Sequence, residues 1–310
     1  MDSDRMLEQV REAGLLPPGT PLVAMLSGGR DSVCLLDLAV RLLGAERVTA
    51  LHVNYGLRDD AGEDERHCEG LCERLGVRLE IERPRRPEGP GNLQAWARDV
   101  RYAAAARLAL ADDALVATGH TADDQVETIL YRLASSPSRR ALLGMRPKDG
   151  RLVRPLLSFS RAETTAYCEE RGLAWRDDPT NEESSYARNR VRHGLARALA
   201  EVHPAAAQNV LRTAELLRDE AAVLDELVDS ELGGDGTGNT IELDRLAELP
   251  SALRRLVVQQ LADRAAGRPV PGAANHADEV AALRRTGTAM LDLGGGVRAV
   301  AERGVLRAER

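Results

Sequence analysis

The sequence predicts an α/β protein, with a doubly wound parallel sheet followed by a smaller, mainly helical C-terminal domain. Up to about residue 205, short apolar runs alternate with segments of helical periodicity, which is the pattern of strands joined by crossover helices. A glycine-rich turn separates the first apolar run from the first long helical segment. Beyond that point the chain becomes rich in Ala, Leu and Glu. We therefore expect one domain over residues 1–205 and a second over 206–310.

The strands of the first domain are predicted by their apolar and β-branched composition, at residues 21–26, 47–53, 77–82 and 114–118. The helical segments that follow them lie at 33–43, 62–75, 92–110 and 123–133. Strands joined in this way pair in parallel, with helices on both faces of the sheet. Ligands of such sheets bind beyond the carboxyl ends of the strands.

The second domain is expected to begin with one long helix over residues 205–232, which ends at a glycine-rich stretch over 233–239. The elements expected after it are helices at about 251–266 and 275–285, two short strands around 294–296 and a last strand near 304–308.

Charge and composition exclude several classes of protein. The formal net charge is −7, so a nucleic-acid partner requires a locally basic face. Aromatic residues make up only 3%, which argues against recognition by stacked bases on an open sheet. Lys148 is the only lysine among 42 lysines and arginines, and no Gly-Lys pair occurs. The chain therefore has no Walker A loop, and it has one candidate lysine for a Schiff base.

No membrane or targeting segment is predicted. No run approaches the roughly 18 apolar residues of a membrane span, and the first four residues include two aspartates where a signal peptide is basic. The cysteines include no CxxC pair and are typical of buried thiols in a reducing compartment; they are Cys34, Cys68, Cys72 and Cys168. We therefore expect a cytoplasmic protein without a membrane partner.

The turn after the first strand has the composition of a phosphate-binding loop. Its glycines let backbone N–H groups approach an anion at a helix N-terminus, and its serine hydroxyls and Arg30 add donors. Asp31 repels a phosphate unless it holds Mg²⁺ between the like charges. The alternative is an ordinary turn in which Asp31 or Ser32 lies near the helix start. The candidate residues are Ser27, Gly28, Gly29, Arg30, Asp31 and Ser32, with Asp31 as the candidate metal ligand.

A polar cluster follows the fourth strand and contains His120, Asp123, Asp124 and Glu127. On a helix, Glu127 shares a face with both aspartates. Carboxylates near a triphosphate can hold Mg²⁺, or they can bind and deprotonate an attacking ammonium group. The alternative is a solvated acidic helix start, which the helix dipole favours.

These segments together resemble the N-type ATP pyrophosphatases, or PP-loop enzymes, which cleave ATP between its α- and β-phosphates to adenylate a carbonyl oxygen. Within that superfamily the sequence is similar to the tRNA(Ile)-lysidine synthetases, strongly over residues 20–200 and loosely beyond. The matching segments are SGGRDS (27–32), HVNYGLR (52–58), QAWARDVRY (94–102), GHTADDQVET (119–128), RPLL (154–157), DDPTN (177–181) and YARNRVR (186–192).

The resemblance implies a PP-loop ATPase fold of the adenine nucleotide alpha hydrolase-like type, with ATP and Mg²⁺ as cofactors. It implies two further partners, tRNA(Ile) with a CAU anticodon and free L-lysine. C2 of the wobble cytidine is adenylated with release of pyrophosphate, and the ε-amine of lysine then displaces AMP. On this basis Asp31, His120, Asp124 and Glu127 are expected in the active site, where Asp124 and Glu127 bind the lysine and take its proton. The C-terminal domain is expected to contact tRNA, and a homodimer remains open.

Two further groups of candidates lie near these motifs. Arg98 and Arg101 are expected to stabilise the phosphates or the departing groups; the alternative is a solvated helix face. Backbone atoms around His52 and Val53 are expected to contact adenine, because this strand end adjoins the glycine loop.

Arginine is concentrated in residues 132–154 and 186–197. We expect these segments to contact tRNA phosphates, so binding should weaken steeply with salt. The alternative is again a solvated face. The candidate tRNA-binding residues are Arg139, Arg140, Arg188, Asn189, Arg190 and Arg192.

The sequence departs from the family pattern at two places. Tyr55 stands where the family usually has a histidine, and residues 135–138 read SSPS where the family has Arg-Gly-Ser-Gly. Pro137 fixes φ in that segment. Two alternatives therefore stay open: a paralogue that adenylates another tRNA base or a small molecule, and a catalytically weakened tRNA-binding protein.

Overall fold

The computed structural model describes residues 2–57, 61–85, 87, 92–135, 139–176, 190–233 and 238–310. The chain divides into two compact units, Met1–Glu215 and Leu216–Arg310. The boundary falls within a long helix, whereas the boundary predicted from sequence lies after residue 205.

The first unit contains nearly all of the predicted α/β pattern. Its elements in chain order are α1 (Ser3–Glu12), β1 (Leu22–Met25), α2 (Arg30–Leu43), β2 (Val48–Val53), α3 (Ala61–Leu75), β3 (Arg78–Glu82), α4 (Leu93–Ala111), β4 (Leu115–Ala117), α5 (Ala122–Ser135), α6 (Arg139–Leu142), β5 (Lys148–Asp149), β6 (Leu152–Val153), α7 (Arg161–Glu170), a π-helical turn (Val191–Ala196), α8 (Arg197–Val202) and α9 (Ala206–Glu231), which continues into the second unit.

Its sheet has the strand order β3-β2-β1-β4-β6-β5, and every pairing is parallel except β5 with β6. In the centre, Val23 of β1 lies between Thr49 of β2 and Val116 of β4. The prediction of a doubly wound parallel sheet is confirmed. The strands β5 and β6 were not predicted, because each has only two residues and shows no readable periodicity.

β1 is apolar along its whole length because both of its faces are buried. Leu22 and Ala24 belong to the core that includes residues of α2 and α7, whereas Val23 and Met25 face the alanines of α4. Alternate residues of a strand point to opposite faces, so a strand that is covered on both sides reads as a continuous hydrophobic run.

The strand order reverses between β1 and β4, which places a crevice at the carboxyl ends of these two strands. The SGGRDS segment follows β1 and the GHTADD segment follows β4. The topology therefore brings the two predicted motifs to opposite sides of one crevice.

The second unit has its own core and a four-stranded antiparallel sheet of order β7-β10-β9-β8. Its elements after α9 are β7 (Thr240–Glu242), α10 (Leu243–Glu248), α11 (Ser251–Ala266), a 3-10 turn (Ala273–His276), α12 (Ala277–Ala281), β8 (Thr288–Gly294), β9 (Val297–Glu302) and β10 (Val305–Glu309). Three of these strands lie where the sequence predicts them, and β7 adds a fourth.

All four cysteines are buried free thiols. Within the described ranges, no helix has the length and apolar composition needed to cross a bilayer.

Candidate active site

The glycine loop between β1 and α2 requires glycine at its second position. Gly28 adopts a φ of +84°, in the left-handed region that favours glycine. A Cβ atom there would lie 3.3 Å from Cys68 Sγ and 3.4 Å from the ring of His67. A larger residue would therefore meet both an unfavourable backbone conformation and close neighbours on α3.

Hydrogen bonds of the two serines fix the conformation of the loop around Gly29. The Ser32 hydroxyl donates to the Gly29 carbonyl at 2.7 Å and accepts from the Ser27 N–H at 3.1 Å. α2 begins at Arg30, and its N-cap residue, Gly29, makes no side-chain capping hydrogen bond. The N-terminal end of α2 is therefore not covered by a capping side chain, which suits it to bind an anion.

Asp31 lies in the first turn of α2 and is held by two donors. Its Oδ1 accepts from Thr164 Oγ1 at 2.6 Å and from Arg30 Nε at 3.3 Å. Burial raises the pKa of Asp31, and nearby Asp124 adds to this, while the bonds from Thr164 and Arg30 oppose it; the net shift is upward. A cation beside Asp31 would favour its ionised form.

The described residues fit Mg²⁺ only in company with a phosphate ligand. None of them form a group of three or more His, Cys, Asp or Glu side chains able to hold a metal ion. Mg²⁺ commonly takes one or two carboxylates and completes its shell with water and substrate phosphates. Asp31, next to an anion-binding helix terminus, matches that pattern.

The carboxylates of Asp124 and Glu127 are joined by Arg161. Its Nη2 donates to Asp124 Oδ1 at 2.6 Å, and its Nη1 donates to Glu127 Oε1 at 2.9 Å. Asp124 Oδ2 also accepts from the N–H of Thr121 at 2.9 Å. The alternative of a solvated acidic helix start is therefore wrong for these two side chains, which are buried and paired.

A second arginine reaches Glu127 from the π-helical turn. Arg192 Nε donates to Glu127 Oε1 at 2.6 Å, and Val191 packs beside Val126 in the same small apolar cluster. Burial raises the pKa of Glu127, but the hydrogen bonds from Arg192 and Arg161 outweigh it and hold the pKa below its usual value. A carboxylate in this state is a poor proton acceptor.

His120 and Gly119 lie in the turn that follows β4. The His120 Nδ1 atom is 2.7 Å from the hydroxyl of Thr118. Gly119 packs directly on the start of α2: a Cβ at this position would lie 2.8 Å from the Asp31 carbonyl oxygen and 3.1 Å from the Ser32 nitrogen. Gly119 thus lets the two sides of the crevice touch.

The α7 contribution to this site was not predicted from sequence. Arg161 reaches the two carboxylates, Thr164 reaches Asp31, and Cys168 lies 3.7 Å from the Arg30 carbonyl. Their spacing of three and four residues places them on one face of the helix. The sequence feature that could have located α7 is the capping box formed by Ser160 and Glu163, which marks the beginning of this helix.

His52 and Val53 occupy the end of β2. The His52 ring is buried and its Nδ1 lies 3.0 Å from the Leu26 carbonyl, which ties the ring to the residue before the glycine loop. The predicted adenine contact concerns the backbone of this strand end and stays a prediction.

Arg98 and Arg101 lie on α4 and share one neighbour. Their guanidinium carbons are 4.6 Å and 5.8 Å from the centroid of the Tyr102 ring. This brings the two arginines together beside one ring, and their predicted role in stabilising phosphates or departing groups stays a prediction.

The predicted tRNA-binding residues are described only in part. Arg188 and Asn189 lie outside the described residues, as do the side chains of Arg139 and Arg140. Arg190 is exposed, whereas Arg192 points to Glu127 in the site itself.

Residues 3–199 match the family described as PP-loop domain, a match that covers the glycine loop, the acidic cluster and α7. The fold, the strand-order reversal and the loop are those of a nucleotide-binding α/β protein, and the chain belongs to the PP-loop family.

Within that family the chain is similar to proteins named tRNA(Ile)-lysidine synthase. One from Thermus thermophilus is 38% identical over 262 residues, which are 82% of this chain and 51% of the relative. The one from Symbiobacterium thermophilum is 38% identical over 320 aligned positions, which are 95% of this chain and 66% of the relative. The chain thus spans about half to two thirds of the length of these relatives.

A solved structure supports the fold. The U34-tRNA thiolase NcsA from Methanococcus maripaludis superposes with a TM-score of 0.58 at 19% identity, over 69% of this chain and 78% of that one. At this level of identity the likeness concerns the fold alone.

Proposed function

We propose that this protein joins lysine to C2 of the wobble cytidine of tRNA(Ile) with a CAU anticodon, using ATP and Mg²⁺. The cytidine oxygen is first adenylated with loss of pyrophosphate, and the ε-amine of free lysine then displaces AMP. The observation that carries this proposal is the direct packing of the glycine loop, with Asp31, against the turn that carries His120 and the Asp124–Glu127 cluster. The similarity to tRNA(Ile)-lysidine synthases supports the choice of substrate.

The glycine loop binds the phosphates of ATP through backbone N–H groups at the start of α2. Asp31 holds Mg²⁺ beside them, and Thr164 fixes the carboxylate rotamer from α7. A metal ion held by Asp31 would supply positive charge beside the phosphates. Because the Thr164 bond favours the ionised carboxylate, it also opposes the effect of burial on Asp31.

For the carboxylates of Asp124 and Glu127 we propose a role other than the lysine binding and proton transfer that the resemblance implies. Both already pair with arginines, and the pKa of Glu127 is low, so Glu127 is poorly suited to take a proton from lysine. We assign to the pair the positioning of Arg161 and Arg192, whose guanidinium groups can then stabilise the negative charge of the leaving groups.

We also propose a cytoplasmic location, where tRNA, lysine and ATP occur together, and a tRNA contact for the second unit. The predicted candidates for contacts with tRNA phosphates are Arg139, Arg140, Arg188, Asn189 and Arg190.

The test is incubation of the purified chain with unmodified tRNA(Ile) transcript, ATP, Mg²⁺ and radiolabelled lysine. The label should become acid-precipitable with the RNA, and a transcript whose wobble cytidine is replaced by uridine should stay unlabelled. Release of AMP and pyrophosphate without labelled RNA would overturn the choice of lysine and would point to another acceptor. RNA binding without any AMP would favour the catalytically weakened protein.

A further inference from the structure

Three arginines lie around Tyr102, and a fourth is close to two of them. Arg98 and Arg101 flank its ring from α4, and Arg154, which directly follows β6, lies beside its hydroxyl. Arg132, near the end of α5, is close enough to Arg98 and Arg154 for their charges to lower its pKa, after the larger effect of burial. We call these five residues the arginine cluster.

The arginine cluster is poorly neutralised by the protein. In the described part of the chain, none of its four arginines forms an ion pair with a carboxylate; Asp149 only comes near enough to affect Arg154. Burial lowers the pKa of Arg154, and the charge of Arg98 adds to the shift. Gathering like charges in a partly buried place costs free energy, and a bound anion offsets that cost.

Three buried polar atoms of the arginine cluster make no hydrogen bond of normal geometry with the described residues. Arg154 is 7% exposed, and its Nε makes no hydrogen bond of normal geometry with any described residue. The same holds, within the described ranges, for Arg101 Nε, while the Tyr102 hydroxyl has the Arg154 side chain beside it but makes no bond of normal geometry. Buried donors are nearly always satisfied, so these atoms point to a ligand with several acceptor oxygens.

Protein contacts fix two of the four guanidinium groups, those of Arg154 and Arg132. Arg154 Nη1 donates to the Arg146 carbonyl at 2.6 Å, and Arg132 Nη1 donates to the Gly144 carbonyl at 2.8 Å. Each guanidinium group is therefore anchored at one end, with its remaining N–H groups left for a ligand. This is a preorganised site, since the side chains need not be ordered when the anion binds.

The arginine cluster lies at the same edge of the sheet as the glycine loop. β6 is separated from β1 by β4 alone, so Arg154 follows a strand end about 10 Å from the one that precedes the loop. ATP phosphates are expected at the loop itself. An anion at the neighbouring strand end fits a backbone phosphate of an RNA whose acceptor base enters the crevice.

We propose that the arginine cluster is a phosphate-binding site for the RNA backbone next to the acceptor nucleotide, distinct from the ATP-binding loop. The proposal deepens the proposed function and rests on it for the identity of the RNA. The arginine cluster recognises a phosphate group, which both the RNA backbone and pyrophosphate carry. The experiment therefore tests both ligands.

The experiment measures binding of tRNA(Ile) transcript to the full chain between 50 and 200 mM salt (about fourfold in concentration), for wild type, Arg132→Gln and Tyr102→Phe. For Arg132→Gln we expect about three- to tenfold weaker binding, and a slope of log K against log salt that is smaller by about 0.7–0.9. Tyr102→Phe removes only the hydroxyl and should weaken binding without changing the slope. The matched control is Arg78→Gln, because Arg78 begins β3 at the opposite edge of the sheet and pairs with Glu80; this variant should bind RNA like wild type.

The second arm measures pyrophosphate binding by the rise in melting temperature that it causes. This rise should be equal in wild type and both variants. The melting temperatures without ligand show that the variants are folded. Unchanged RNA affinity and slope in both variants would overturn the site. Weakened pyrophosphate binding with unchanged RNA binding would overturn its assignment to RNA. If wild type binds RNA through these residues but attaches no lysine, the proposed function fails while the phosphate site stands.

Discussion

Thr164 on α7 donates a 2.6 Å hydrogen bond from its hydroxyl to Asp31 Oδ1 on α2, across 133 residues of sequence. Thr164 is fully buried, so the hydroxyl has no competing water. The bond opposes the increase in the pKa of Asp31 that burial causes. It therefore links the position of α7 to the charge of the residue proposed to hold Mg²⁺.

Replacing Thr164 by valine should raise the pKa of Asp31 further, because a bond to the ionised form is lost. As the pH is lowered, activity that needs ionised Asp31 should then be lost at a higher pH than in wild type. The Mg²⁺ concentration required for activity should increase. A lost bond to a charged group is worth about 1.5 kcal/mol, or about a tenfold loss of kcat/KM for ATP at the acidic end of the profile.

The measurement is tRNA-dependent AMP formation over a range of pH and Mg²⁺ concentrations. The matched control is Thr165→Val, since the Thr165 hydroxyl donates only to the Arg161 carbonyl of its own helix. Identical pH profiles for Thr164→Val and Thr165→Val would show that the bond to Asp31 has no role in catalysis.

Arg161→Gln should lower the free energy of unfolding by about 2 kcal/mol at neutral pH, because two buried carboxylates lose a charged donor. The folded-state pKa of Glu127 is below its ordinary 4.5, so its contribution to stability is present above that value and is lost as the pH falls through the lower folded pKa. Without Arg161 the pKa rises toward its ordinary value, and this acid-dependent part of the stability becomes smaller.

Urea denaturation near neutral pH and near the ordinary pKa of Glu127 measures both effects. The control, Arg151→Gln, removes an exposed pair and should change the free energy of unfolding by less than about 0.5 kcal/mol. The interpretation would be wrong if Arg161→Gln and Arg151→Gln were equally stable at neutral pH.

Gly119→Ala should disturb the glycine loop without removing any functional group. The new Cβ would lie 2.8 Å from the Asp31 carbonyl oxygen, a backbone atom that cannot turn away, so the start of α2 must shift. We expect a loss of about 1–3 kcal/mol of stability and at least about a tenfold loss of AMP formation.

The control is Gly70→Ala in α3, where an added Cβ meets nothing within 4 Å. That substitution should stabilise the protein by up to about 1 kcal/mol, since alanine favours a helix interior. Wild-type ATP turnover in Gly119→Ala would contradict the close packing of the two motifs.

The strands β1 to β4 were predictable because β1, β2 and β4 are largely apolar and β3 alternates apolar with charged residues. Both faces of β1 are buried. The motif residues were predictable because strand ends in a parallel sheet meet at one edge. In contrast, the contacts of Thr164 and Arg161 join segments far apart in sequence, and nothing in the local periodicity of α7 indicates which residues it faces.

The partner of Arg192 could not be predicted from the charge pattern of the sequence. Arg192 lies in an arginine-rich segment without acidic residues, and such a segment favours a nucleic-acid face. The guanidinium group of Arg192 nevertheless pairs with Glu127, 65 residues away. Periodicity predicts which residues share a face of one element, whereas the partner across the crevice depends on tertiary packing. The arginine cluster around Tyr102 is likewise assembled from three separate segments.

The most direct test of the central claim is the fate of ATP labelled at its α-phosphate. With tRNA(Ile) transcript and no lysine, the label should appear in adenylated RNA, and addition of lysine should release it as AMP. Asp31→Ala should abolish both products while the protein stays folded. Formation of ADP in place of AMP, or unchanged labelling in Asp31→Ala, would contradict the assignment of the glycine loop and Asp31 to cleavage between the α- and β-phosphates.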